Sequence, residues 1–318
     1  MSNLSLTVVL LNYNHARFLP ESLEALRRQM RQPDELIICD DASTDDSVAV
    51  ISSFLPRLRN ARLIRNPHNE GIIKNLNRGL RAARGDLIYF ASSDDVTYPL
   101  LFEQATSLLT AYPQAALFSA PVDIIDEQSR KLGRLPMPVP LSRPGFVDPT
   151  MARRLLMQDD GWVIGCTTVL RHGQLSAVGG FAEDLGSFCD GYVSRVLWLE
   201  HGACFSPVVL AAWRCVQAGY SWSQTVDLRE AERLAATAAK KIAERSDLFP
   251  LGYAKRWKQR HLFGARRFAL RRARENTPAG SPRRILRWIR EVIITAWLFI
   301  TLRPWDVPAV IRRRVFGA

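Results

Sequence analysis

The first hundred residues of the chain alternate between two hydrophobic periods. Short apolar runs rich in strand-formers stand at residues 6–11, 35–39, 62–64 and 87–90. Between them, apolar residues recur at helical spacing: Phe18, Leu23 and Leu26, then Val48, Ile51 and Leu55, then a stretch over 72–83 bounded by Gly85. A further helix is predicted over 99–112, starting on a proline. This alternation predicts βαβ units, hence a parallel sheet with helices on both faces.

In open sheets of that kind, ligands bind beyond the carboxyl ends of the strands. The residues that stand there are polar. Asn12, Tyr13 and Asn14 follow the first strand, Asp40, Asp41, Ala42 and Ser43 the second, and Ser92, Ser93, Asp94 and Asp95 the fourth. Three polar strand ends aimed at one rim predict a binding site.

From about residue 115 the pattern changes. Short strands at 116–119 and 122–125 precede the proline-rich stretch LPMPVPLSRPGFVDP at 135–149, which reads as a crossing loop. Beyond it come GWVIGCTTVLRH, a VGGF turn at 178–181, a helix near 191–201 and a last strand over 204–210. Residues 228–245 read as a solvated helix, and an arginine-rich end follows. The chain carries no internal repeat.

A length of 318 residues with 47% hydrophobic content is that of a globular protein. The formal net charge is +12, and its distribution is uneven. Residues 1–228 hold 21 Lys/Arg against 24 Asp/Glu, whereas residues 229–318 hold 22 against 7. The basic surplus therefore belongs to the last 90 residues and points to an anionic partner for that end. Five scattered cysteines without a C-x-x-C pair exclude a zinc site or disulfide framework and fit a reducing compartment. The opening MSNLSLTVVLLNYNH lacks a basic n-region and reads as a strand, not a signal peptide. No apolar stretch reaches the ~18 residues needed to cross a bilayer.

Two adjacent carboxylates, Asp94 and Asp95, stand where a buried strand leaves its sheet. Like charges so placed repel and raise each other's pKa. A hard divalent cation resolves this, because it takes oxygen ligands and becomes the largest local charge. The alternative is a turn with a helix N-cap. In CDDASTDDS, residues 39–47, Ser43 and Asp46 fit a capping box, and Asp45 and Asp46 suit the positive end of the next helix. Asp40 and Asp41 lie before that cap, where a carboxylate can accept a nucleobase N–H. Tyr13 is placed to stack on the base or to pack on Phe18. The five histidines are isolated, without metal-ligand spacing. Trp162, Trp213 and Trp222 are read as core residues rather than sugar platforms.

Taken together, these stretches resemble the family 2 inverting glycosyltransferases, which have the GT-A fold and use nucleotide-sugar donors. The matching pieces stand in order: TVVLLNYNHARFLPESLEAL, DELIICDDASTDDS, RNPHNEGIIKNLNRGLRAARGDLIYFASSDD, and later VGGFAEDL followed by a helix ending in EHG. The resemblance implies that Tyr13 and Asp41 bind the nucleobase, with Asp94 near the ribose and metal. It implies that Asp95 ligates Mn²⁺ or Mg²⁺ on the donor diphosphate. Where the family often carries an acid, this chain has Ser92. The family's general base precedes the late helix, and in SFCDGYVSRV the carboxylate in place is Asp190, with Glu183 and Asp184 as fallbacks.

The expected architecture is thus an α/β, Rossmann-like GT-A domain over 1–225, with a nucleotide-sugar half at 1–112 and an acceptor half at 113–225. A basic helical extension over 226–318 follows. Within it Ile285, Trp288, Ile289, Val292, Ile293, Ala296, Trp297 and Ile300 form one helical stripe beside arginines. That pattern suits an interfacial helix on an anionic membrane surface. It also suits a basic helix packed on its own domain.

The expected function is transfer of a sugar from a UDP- or dTDP-sugar to a glycan or lipid-linked hydroxyl acceptor. The products expected are envelope polysaccharide or glycolipid, made at the cytoplasmic face of the cell membrane. The rival is a non-catalytic nucleotide-sugar-binding scaffold of the same fold. A nucleic-acid partner is not expected, since the apolar stripe favours lipid over phosphate backbone. Neither G-x-G-x-x-G after the first strand nor a P-loop is present, which argues against a dinucleotide oxidoreductase.

Overall fold

The computed structural model describes residues 4–216 and 227–275. The helical stripe expected from Ile285 onward, and Trp222, lie outside the described residues. The chain divides into two compact units. The first holds Met1–Ala152, Gly161–Glu183 and Cys189–Val216, and the second holds Arg153–Asp160, Asp184–Phe188 and Gln217–Ala318.

The first unit is built on a mixed sheet of eight strands. In chain order it runs β1 (Leu6–Asn12), α1 (Leu19–Arg27), β2 (Glu35–Asp40), α2 (Ser47–Phe54), β3 (Ala61–Arg65), α3 (Ile72–Ala82), β4 (Leu87–Ser92), β5 (Val96–Thr97) and α4 (Leu101–Ala111). It continues with β6 (Leu117–Ser119), β7 (Val122–Ile125), β8 (Lys131–Arg134), β9 (Gly145–Val147), α5 (Pro149–Gln158, which runs on past Ala152), β10 (Val169–Arg171), α6 (His172–Ala177), α7 (Cys189–His201), β11 (Ala203–Phe205) and β12 (Ala211–Arg214). The strand order is β3-β2-β1-β4-β10-β6-β11-β9, and β3, β2, β1 and β4 are all parallel. The parallel half is the one the alternation predicts. Beyond β4 the sheet turns mixed, with β10 antiparallel to both β4 and β6.

All seven residues of β1 are buried, as a parallel strand covered on both faces must be. Leu6, Val8 and Leu10 pack in one cluster with Leu19, Leu23 and Leu26 of α1, Ile51 of α2 and Phe102 and Ala105 of α4. Val9 points the opposite way, onto α3. There Gly79 lets the helix approach so closely that a Cβ on it would lie 2.4 Å from Val9 Cγ1. Each fully buried Leu or Val contributes about 1.5–3 kcal/mol, which makes β1 the anchor of the site rim.

A second, four-stranded sheet has the order β5-β12-β7-β8. The strand expected over 204–210 is therefore shorter: β11 ends at Phe205, and a separate strand in the other sheet begins only at Ala211. Ser206 gives its N–H to Ser119 at 3.2 Å, and Pro207 then has no N–H with which to continue that ladder. The chain re-enters as β12, paired with β5 and β7.

The second unit is described through α8 (Leu228–Glu244) and α9 (Tyr253–Glu275). Asp227 caps α8 by accepting the N–H of Arg229 at 2.9 Å. Ala231, Leu234, Ala235, Ala238 and Ile242 form its buried stripe. Buried Asp160 accepts hydrogen bonds from Tyr253 and Arg260 of α9, and Phe188 sits edge-on to Trp257 with ring centroids 4.9 Å apart. No helix of the described residues is long and apolar enough to cross a membrane.

Candidate active site

The three polar strand ends converge as parallel register demands. Asn12 stands beside Asp40, and Leu11 beside Ser92. The loops are then tied to one another. Asn12 Nδ2 donates to Asp40 Oδ2 at 2.8 Å, and Ser43 Oγ donates to the same oxygen at 2.6 Å. Asn14, held at a positive φ of 54°, accepts the Thr44 N–H on its Oδ1 at 2.8 Å. Asp40 is fully buried and bonded at both oxygens, so it serves the loop. Ser43 is not part of a capping box. Its hydroxyl is turned to Asp40, and Asp45 takes the Ser47 N–H at 3.0 Å instead. A cap two residues closer to the helix is the shorter reach.

Tyr13 stands between these loops and is 44% exposed, with its ring open to a partner. Phe18, its alternative neighbour, packs instead on His15 and under the Arg17 guanidinium. Asp41 is buried and tied to the start of α3. Its Oδ1 accepts from Asn66 Nδ2 and from the Glu70 N–H, both at 2.8 Å, and its Oδ2 accepts the Gly71 N–H at 2.9 Å. Burial pushes the Asp41 carboxyl up, but the donated N–H groups of Glu70, Asn66, Asn75 and Gly71 outweigh it and hold the pKa below the usual carboxylate range. Gly71, at φ 88°, supplies the bend that aims its N–H at Asp41.

Asp94 and Asp95 sit half-buried in the turn between β4 and β5. Asp94 Oδ1 accepts the Ser92 hydroxyl, and Asp95 Oδ1 accepts the main-chain N–H of Arg214 at 2.9 Å. Burial, then the neighbouring Asp94, lift the Asp95 carboxyl well above its ordinary value. A carboxylate that its surroundings disfavour as an anion, with a second one beside it, fits a hard cation, whose charge would reverse that preference. Among the described residues no group of three or more His, Cys, Asp or Glu side chains could hold a metal. A cation at this turn would therefore take its remaining ligands from phosphate and water, with Asp94 and Asp95 as its protein ligands.

Asp190 lies in the first turn of α7, where its Oδ1 accepts the Gly191 N–H at 2.6 Å. Its outer surface is open to solvent, yet the protein around the carboxyl is dense enough that desolvation raises its pKa. The turn at Gly165–Thr167 relates it to the carboxylate pair. A Cβ on Gly165 would lie 3.3 Å from Asp190 Oδ2. The next residue, Cys166, gives its carbonyl to the Tyr89 hydroxyl at 2.8 Å, and its thiol is pushed up by burial and then by Asp95 and Asp94. One short turn thus lies against Asp190 and within electrostatic reach of Asp94 and Asp95. Of the fallbacks, Glu183 is exposed, and Asp184 is engaged by Lys241 at 3.1 Å.

Sequence reasoning missed Arg214, Asn66 and Glu21. Arg214 carried a signal, a lone arginine ending the apolar run 208–213. Of the tryptophans, Trp162 is core and packs on Trp198, whereas Trp213 is 40% exposed on β12.

Comparison with known proteins bears on the fold and the family. A protein of Mycobacterium tuberculosis without an assigned function is 30% identical over 154 residues, which is 48% of this chain and 44% of that protein. The chain thus spans less than half the length of the curated relatives it first matches. S. aureus TarS, solved with UDP-GlcNAc, superposes with a TM-score of 0.63 at 17% identity, covering 97% of this chain and 88% of that one. The mannosyltransferase PcManGT of Pyrobaculum calidifontis, solved with GDP-Man and Mn²⁺, gives 0.58 at 17% identity over 100% and 89%. The chain has their GT-A fold. The profile described as Glycosyl transferase family 2 matches residues 7–173, more than half of the sequence, and the chain belongs to that family.

Proposed function

We propose that the protein is an inverting glycosyltransferase that moves a sugar from a UDP- or dTDP-sugar to a hydroxyl acceptor. The observation that carries this reading is the turn at Gly165–Thr167, with Asp190 against one end and the Asp94 and Asp95 pair acting on Cys166. That arrangement offers a base and a cation-holding centre near one short turn. TarS, of the same fold, was solved with UDP-GlcNAc, which supports a nucleotide-sugar donor.

Tyr13 stacks on the nucleobase, and Asp41 accepts its N–H. Asp94 and Asp95 hold Mn²⁺ or Mg²⁺, which when bound supplies Lewis-acid charge for the departing diphosphate. PcManGT, solved with Mn²⁺, supports that choice of ion. Asp190 takes the proton of the acceptor hydroxyl as that oxygen attacks the anomeric carbon from the face opposite the diphosphate. One displacement inverts the anomeric configuration. The raised Asp190 pKa suits a base, because it brings proton affinity closer to that needed at neutral pH.

Residues 1–225 act as the transferase domain and 226–318 as a basic extension on the anionic inner face of the cell membrane. Acceptors in glycolipid or envelope polysaccharide assembly fit that location. Removing residues 283–318 should shift the protein from membrane to soluble fractions, and continued sedimentation with membranes would refute the anchor.

Release of nucleoside diphosphate from a panel of donors, wild type against Asp190→Asn, tests the activity. Transfer by the wild type, reduced ~10²–10⁴-fold in the variant, supports the reading. Nucleotide binding without turnover in either would make the protein a nucleotide-sugar-binding scaffold.

A further inference from the structure

Arg214 ends β12, and only 2% of its surface is exposed. It is the most heavily bonded side chain near the carboxylate turn, and none of its guanidinium bonds goes to a site carboxylate. Nε donates to the main-chain carbonyl of Asp94 at 2.7 Å. Nη1 donates to the Asp126 carbonyl and to Ser129 Oγ, both at 2.9 Å. Nη2 donates to Glu21 Oε2 at 2.6 Å, and the guanidinium carbon stands 4.8 Å from the Phe18 ring centroid. Three segments remote in sequence meet on this one group: the site turn, the β7–β8 hairpin, and α1 with the residue just before it.

The strand register explains how it comes to be there. Ala211 pairs with Thr97 and Ala212 with Val96, antiparallel. Continuing that register two residues sets Arg214 opposite Asp94, where the ladder stops. In place of a ladder bond, the Arg214 N–H is accepted by the Asp95 side chain at 2.9 Å. The backbone of Arg214 thereby turns Asp95 Oδ1 inward, while its guanidinium fixes the peptide before it. Among the described residues no hydrogen bond reaches Asp95 Oδ2. The guanidinium stands against the main-chain carbonyl of Asp94 and bonds neither of the two side-chain carboxylates.

We propose that Arg214 is a positioning residue for the metal–diphosphate centre, presetting Asp94 and Asp95 for a cation through its planar fork and its main-chain N–H. This rests on the reading that these two aspartates hold a divalent ion. Lysine keeps the charge but cannot donate in several fixed directions from one plane, so charge alone does not restore the function. Glu21 is the outer anchor of the fork, and its side chain is 43% exposed, so its substitution leaves the core intact.

The test is Mn²⁺ binding, read from the EPR signal of free Mn²⁺, in the presence of UDP, dTDP or GDP. Metal-free nucleotide affinity and the melting temperature are measured alongside. Arg214→Lys should weaken Mn²⁺ binding to the nucleotide complex by about 10–100-fold, the range for partners that orient metal ligands, with metal-free nucleotide affinity unchanged. Glu21→Gln should weaken Mn²⁺ binding in the same direction, by a smaller factor, and carries the test if Arg214→Lys does not fold. Variants that lose only melting temperature and bind Mn²⁺ as the wild type does would overturn the proposal and leave the metal reading standing. A wild type that binds Mn²⁺ with none of these nucleotides would overturn the metal reading and the proposal with it.

Discussion

Asp41 accepts the main-chain N–H of Gly71 at 2.9 Å, so the carboxylate at the end of β2 is bonded directly to the residue that opens α3. The same carboxylate takes the N–H of Glu70 and the amide of Asn66. The position assigned to the nucleobase is thus also the clasp of the loop beside it.

Asp41→Asn replaces an acceptor oxygen with an NH₂ that faces donors. Because these groups are buried, the variant should lose about 1–3 kcal/mol in urea unfolding at pH 7. The sign of the pH dependence follows from the depressed folded pKa. Asp41 stabilises the fold at pH above its ordinary value near 3.8, and that stability is lost as pH falls through the lower folded pKa. The gap between wild type and variant should therefore close in strong acid. A gap independent of pH would show that the carboxylate does not stabilise through its charge.

Asp190 should behave in the opposite sense. Its folded pKa lies above 3.8 because the carboxyl is desolvated, so the folded state holds a proton that the unfolded chain releases. Stability contributed by this proton is present at low pH and lost as pH rises through the window between the two values. Asp190→Asn should then melt at or above the wild-type temperature at pH 7, show no such gain below pH 3.8, and still lose transfer. In the wild type the acid limb of kcat/KM should lie above the ordinary carboxylate range. A pH-rate profile flat down to that range would remove Asp190 as the base.

Gly165→Ala tests the turn packed against Asp190. The new methyl would meet Asp190 Oδ2 at 3.3 Å, tighter than ordinary contact, and the carboxylate is the partner able to move. Turnover should fall on the order of tenfold or more through misplacement of the base, with donor affinity and melting temperature nearly unchanged. Unchanged turnover would mean that the Asp190 carboxylate need not hold its place beside this turn.

Gly79→Ala tests the packing beneath the rim. A Cβ at 2.4 Å from Val9 Cγ1 forces the stiff valine or the helix to move, and overpacking of this kind costs about 1–3 kcal/mol. Chemical denaturation should show that loss, and Val9→Ala in the same chain should recover part of it. No destabilisation would mean that α3 sits further from β1 than described.

Much of this molecule was legible before any coordinates. β1, β2 and β4 are buried on both faces, so they read as continuous apolar runs, and the polar residues just past them fell on one rim. Asp94, Asp95, Asp41 and Tyr13 were visible because each follows such a run. The position of Asp190 came from resemblance, since a lone acid before a helix reads equally as a cap, and its Oδ1 does accept the Gly191 N–H. Arg214 was missed because its role depends on the second sheet, whose pairs join residues near 96, 122 and 212. Pairing across such separations leaves no local period. Ser43 matched the local spacing of a capping box, but the buried Asp40 carboxylate beside it was the stronger acceptor.

The most direct test of the central claim is the melting temperature of the protein against UDP, dTDP and GDP, with and without Mn²⁺, in wild type and Asp95→Asn. A ligand that binds only the folded state at ~100 times its Kd adds roughly 2.7 kcal/mol, a readily visible shift. A Mn²⁺-dependent shift with UDP or dTDP that Asp95→Asn abolishes is the predicted result. Nucleotide shifts that ignore Mn²⁺, or the absence of any shift, would contradict a metal–diphosphate centre at Asp94 and Asp95.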